Sequence, residues 1–240
     1  MIRFLRTACL AVGVATALMG PAVRPKQGLL RKLAGLLGLP SAPTQMRSED
    51  TNVSGDIWMI PVSGGTKMRV TADGNYRSPV FVPDGKSLFA LRGDTLVRIE
   101  LADHGVREVA RAPGVRRLAG IVPDRPNDLV MLVFAAGRPH LETLDLISRR
   151  RSVVSHDPND PEDALVLAYL ASDAREYGSI RLAVAEQHTS FRVWKDVFVQ
   201  MGEQPPMNLT NGQGASSRQP VLSPDKTLVA YVNAGRAVAP

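Results

Sequence analysis

One short motif recurs along this chain, and its spacing limits the fold more than any other feature. Residues 79–90 (PVFVPDGKSLFA) match residues 220–230 (PVLSPDKTLVA). Each copy is an apolar strand, a Pro-Asp turn and a second apolar strand. Proline presets the first turn dihedral and aspartate bonds back to the backbone, so the two strands form a hairpin. A third copy is Ile121-Val122-Pro123-Asp124, with Asn127-Asp128 lengthening the turn before 129–133. A fourth runs through 165–169, Ser172-Asp173 and 180–184. The aligned aspartates Asp84, Asp124, Asp173 and Asp225 are spaced 40, 49 and 52 residues apart. Each interval holds about four strands with their turns.

The intervening segments supply the remaining strands: 95–101 with 106–110, 141–146 with 151–154, and 194–200 with 207–210. Asp56-Ile57-Trp58-Met59 followed by Arg69-Val70-Thr71 resembles Asp196-Val197-Phe198-Val199 followed by Asn208-Leu209-Thr210. The repeat region therefore opens with the two outer strands of a sheet and closes with two inner ones. A ring of sheets must shut or leave unpaired edges. The expectation is an all-β fold, a small β-propeller of about four four-stranded blades, in which 56–71 pairs beside the hairpin at 220–232. Strands do not alternate with helices, which argues against βαβ folds.

The string D-I-W-M-I-P-V-S-G-G-x-x-x-R-V-T…S-P-V-F-V-P-D-G-K-S-L-F-A-L resembles the Pro-Asp-Gly, WD-repeat-like unit of the TolB-like propeller family. The match is good over 56–91, fair over 196–232 and poor between. The resemblance implies a propeller that binds protein partners in the bacterial envelope. The family's namesake has six blades and an N-terminal α/β domain; here four repeats are counted, and 21–55 is too short for that domain.

Charge decides between partner classes. The chain carries +6 overall, yet residues 1–48 hold seven cations and no acid. What remains over 49–240 is 22 Lys+Arg against 23 Asp+Glu, a net of −1. Nucleic-acid binding requires clustered cations, so it is set aside. Arg3 and Arg6, the apolar run 8–19 and Ala15-Thr16-Ala17 read as a signal peptide over 1–20. The run is shorter than the roughly 20 residues of a spanning helix. The expected location is periplasmic or secreted, an uncleaved, membrane-tethering segment being the alternative. Leu29, Leu30, Leu33, Leu36 and Leu37 with Arg31 and Lys32 describe an amphipathic helix over 27–39. It reads either as a helix packed on the domain or as a peripheral membrane contact. The expected division is leader 1–20, helix and linker 21–51, propeller 52–236 and tail 237–240.

Candidate chemistry is sparse. No G-x-S-x-G nucleophile elbow occurs, and His104, His140, His156 and His188 fall in separate expected loops without metal-ligand spacing. Asp157, Asn159 and Asp160 lie in an acidic stretch that offers oxygen ligands to Ca²⁺, but without an EF-hand's glycine or spacing; a solvated loop is the plainer reading, and no cofactor is expected. Trp58 and Trp194 are read as packing between blades. Arg77, Arg117 and Arg218 each precede their repeat's aspartate by seven residues, with Val166 at that place in the weak repeat. In a propeller this position enters the innermost strand. Three guanidiniums would then converge on the channel mouth and bind a carboxylate or acidic peptide; the alternative is that each pairs locally with a turn acid or carbonyl. The function expected is a non-catalytic binding module for protein or peptide partners. The rivals are a hydrolase- or lyase-type propeller with a shallow mouth site, and a half-propeller of a larger assembly.

Overall fold

A computed structural model describes residues 53–122, 124–135, 138–154, 173–212 and 215–236. The expected leader, the 27–39 helix, the 155–172 segment with Asp157, Asn159, Asp160 and Val166, and the tail lie outside the described residues.

Among the described residues, sixteen strands form four antiparallel sheets of four. The chain enters through β1 (Asp56–Pro61) and β2 (Met68–Arg69). It then builds a first blade from β3 (Tyr76–Phe81), β4 (Ser87–Arg92), β5 (Thr95–Glu100) and β6 (Val106–Arg111). The second blade holds β7 (Val115–Val122), β8 (Arg125–Ala135), β9 (Arg138–Asp145) and β10 (Arg151–Val153). The third holds β11 (Arg175–Tyr177), β12 (Ile180–Thr189), β13 (Arg192–Met201) and β14 (Met207–Asn208). The last two strands, β15 (Ala215–Leu222) and β16 (Leu228–Arg236), join the first two in the order β15-β16-β1-β2. The protein is a four-bladed β-propeller whose closing blade is shared between the two ends of the repeat region.

Closure follows the expected register. Asp56 to Pro61 run antiparallel to Asn233 to Leu228, with Met59 opposite Ala230. Where a blade is sandwiched between neighbours its central strands bury both faces and read as apolar runs, as in β4, buried from Ser87 to Leu91; in the third blade β12 buries only Leu182. Apolar clusters fill the blade junctions. Ile57, Phe81 and Val97 pack between the closing and first blades, Leu91, Leu118 and Met131 between the first and second, and Leu182, Val199 and Tyr231 between the third and closing blades.

Two repeat assignments change. β8 begins at Arg125, so Asn127 and Asp128 are strand residues, and Asp128 sits opposite Asp145. In the third blade the strand beside β12 is β11, not 165–169. Its turn is Gly178-Ser179, with Gly178 at φ +69°, a conformation that glycine adopts without strain. Asp173 is therefore no turn residue; it precedes β11. Of the described histidines, His140 and His188 are strand residues, in β9 and β12.

A side-chain bracket ties the outer strands in two blades. Thr210 Oγ1 accepts from Val197 N at 2.9 Å and donates to Asp196 Oδ1 at 2.8 Å, and Gly212 N donates to the same oxygen at 2.8 Å. Thr71 Oγ1 likewise accepts from Ile57 N at 2.9 Å, while Gly74 N donates to Asp56 Oδ1 at 2.8 Å. The similarity of 56–71 to 196–210 is thus a repeated hydrogen-bond device.

Candidate functional site

The innermost strands β3, β7, β11 and β15 each place an arginine at one matching register. Arg77 stands opposite Leu91, Arg117 opposite Leu132, Arg175 opposite Leu182 and Arg218 opposite Val232. In β3 and β15 the arginine is followed by a residue with positive φ and then proline: Ser78 at φ 54° before Pro79, and Gln219 at φ 54° before Pro220. Proline supplies no N–H to the ladder, and the register shifts between Arg77 and Val80 and between Arg218 and Val221. The resulting bulges hold polar side chains toward the adjacent blade.

Those side chains stitch the blades together around the channel. Gln219 Oε1 accepts from the Ser78 amide, linking the closing and first blades. Ser78 Oγ accepts from Leu118 N at 2.7 Å, and Arg77 Nη2 donates to Val115 O at 3.1 Å, linking the first and second. Arg117 forms a buried ion pair with Asp173, linking the second and third. Leu222 N donates to Tyr177 Oη at 3.4 Å, linking the third and closing blades. Strained backbone at Ser78 and Gln219 persists because these bonds over-determine it.

Arg117, Arg175 and Asp173 are buried, and Arg218 is half-buried. Burial pushes the Asp173 carboxyl up, but the charge and hydrogen bond of Arg117, then the charges of Arg175 and Arg218, overcome it and hold the group below its ordinary range. Arg77 stands apart from this cluster, donating to Gly93 O at 2.7 Å as well as to Val115 O. Of the expected three, then, Arg117 and Arg218 come together, and Arg77 is held by carbonyls. Sequence reasoning missed Arg175, which fills the place assigned to Val166, and missed Asp173 as their common partner. The usable signal was Arg175 two residues ahead of Tyr177-Gly178, a hairpin without the Pro-Asp turn.

Side chains from all four innermost strands, Ser78, Arg117, Tyr177 and Gln219 among them, line a cavity of about 20 Å³. That is room for about one water. Among the described residues no cluster of three or more His, Cys, Asp or Glu is arranged to hold a metal ion. His140 instead meets Glu142 at 2.9 Å. Trp58 lies partly buried against the third–closing junction, with the Arg69 guanidinium 6.0 Å from its ring centre, and Trp194 Nε1 donates to Asp196 at 3.1 Å.

Neither a family model nor a curated protein matches the sequence. Among solved structures, the chain is similar to a protein assigned as TolB from Agrobacterium tumefaciens, at 18% identity and TM-score 0.36, over 71% of this chain and 58% of that one. It is similar to TolB from Acinetobacter baumannii at 11% identity and TM-score 0.38, over 86% and 68%. It is also similar to Porphyromonas gingivalis dipeptidyl peptidase 4 at 8% identity and TM-score 0.30, over 72% and 41%. The chain thus spans a little over half the length of the Agrobacterium protein. The propeller assignment rests on the sheet order and the β1–β16 register, and no activity is carried across from these proteins.

Proposed function

We propose that this propeller is an exported, non-catalytic binding module of the cell envelope, and that a protein or acidic peptide meets it at the arginine-bearing mouth of the channel. The observation that carries the reading is the gathering of Arg117, Arg175 and Arg218 around the carboxylate of Asp173, beside a cavity lined by the innermost strands. Guanidinium is suited to the task, because its planar fork matches a carboxylate and stays charged. The envelope setting rests on the leader pattern of residues 1–20.

Anisotropy titration of a fluorescent acidic peptide tests the mouth. Arg218→Ala removes the most accessible of the three guanidiniums and is expected to weaken binding about tenfold, as befits one charge-assisted hydrogen bond. Unchanged affinity, with an unchanged thermal melt, removes the mouth as the binding site. Affinity capture from envelope extract, with the same variant as control, tests the setting.

A further inference from the structure

A second concave surface lies away from the channel axis, on the second blade. Pro113, Val133, Phe134 and Val153 line a groove of about 530 Å³ whose polar wall is Glu142 and Arg151. That volume falls in the roughly 300–1,000 Å³ range of ligand sites, which are mostly apolar with a few polar groups that fix orientation. Phe134 and Val153 are exposed there, 37% and 68% respectively. The polar wall is internally balanced: Arg151 Nε donates to Glu142 Oε2 at 2.6 Å and its Nη1 to Pro113 O at 3.2 Å, while His140 meets the other Glu142 oxygen.

Arg116 breaks that balance. It sits where the β7–β8 register shifts between Val115 and Arg117, and its guanidinium carbon stands 5.9 Å from the centre of the Phe134 ring. It makes no ion pair among the described residues. The charge it is recorded beside among the described residues is that of another cation, Arg77. A half-buried cation within reach of an aromatic ring that lines an apolar groove is complementary to an anion attached to an apolar group.

We infer that this groove binds the C-terminal residue of a peptide, with its apolar side chain on Phe134 and Val153 and its α-carboxylate on Arg116. A chain end meets both requirements with one residue, because side chain and carboxylate share one Cα. The inference shares with the reading above only the premise that the partner is a peptide, and its residues are different ones.

The test uses the full chain and a fluorescein-labelled pentapeptide ending in phenylalanine, as the free acid and as the C-terminal amide, followed by anisotropy. The acid is expected to bind at least about tenfold tighter than the amide, the worth of one charge-assisted hydrogen bond. Arg116→Gln is expected to abolish that difference without changing the melting temperature. Phe134→Ala is expected to weaken both peptides, and Phe134→Leu to weaken them less. Equal binding of acid and amide, indifference to Arg116→Gln, or no binding of either peptide at millimolar concentration overturns the groove. Loss on Arg218→Ala with Arg116→Gln intact overturns it too, and leaves the channel mouth as the peptide site.

Discussion

Tyr231 heads the largest fully buried side chains, and its hydroxyl finds no hydrogen-bond partner among the described residues. Burial, followed by the charge of Asp196, drives its ionisation far above the ordinary tyrosine range. A buried hydroxyl without a partner is a cost, so Tyr231→Phe is expected to leave stability unchanged or raise it by up to about 1 kcal/mol, read from urea unfolding midpoints. Asp173 is the opposite case. Breaking its buried pair strands a charge, and Asp173→Asn or Arg117→Gln is expected to cost about 3–5 kcal/mol. The double change Arg117→Met with Asp173→Leu is expected to recover only part of that loss, because buried Arg175 then lacks the carboxylate it shares with Arg117. Because the folded pKa of Asp173 is depressed, its stabilisation is complete above the unfolded carboxyl value near ~4 and is lost as pH falls through the folded value. Urea midpoints followed from pH 7 to pH 3 are expected to fall for the wild type, with a shallower acid limb in the double variant. At this scale the sequence disclosed Arg77, Arg117 and Arg218 by their common offset from a turn aspartate. It hid Asp173 because a buried counter-ion and a turn aspartate look alike in one dimension.

Strands and hairpins were the most legible level, for a local reason. Pro-Asp turns write their dihedral requirements into two or three adjacent residues, and Asp84 and Asp225 do bond the amides two residues on, at 2.9 and 3.1 Å. The third blade was misread because its β11–β12 turn is Gly178-Ser179, so alignment on an aspartate displaced the strand from 175–177 to 165–169. The bulges after Arg77 and Arg218 were also invisible, since they depend on bonds from neighbouring blades. Gly55, just ahead of β1, shows how tightly the entering strand is held. It exchanges two 2.9 Å backbone hydrogen bonds with Tyr76, and a Cβ added to it would stand 2.0 Å from the carbonyl oxygen of Asn233. Gly55→Ala therefore forces backbone apart at the closing seam, and is expected to cost about 1–3 kcal/mol, seen as a lowered thermal midpoint with unchanged β-type circular dichroism.

At the scale of the molecule, the ring holds because its apolar clusters lie between blades and its polar links run around the channel. Leu91 and Met131 meet from different blades, as do Leu182 and Tyr231. The arginine cluster beside the channel and the second-blade groove are separate testable sites. All of this depends on the seam at which β1 zips onto β16. Cross-strand nuclear Overhauser contacts on a deuterated, methyl-labelled sample read that seam directly. The account predicts contacts from Ile57 to Val232 and from Met59 to Ala230, independent of protein concentration. Residues 56–61 showing no contact with 228–233, or contacts that come only from a second molecule in a mixed-label sample, would contradict the closed ring and the channel mouth built on it.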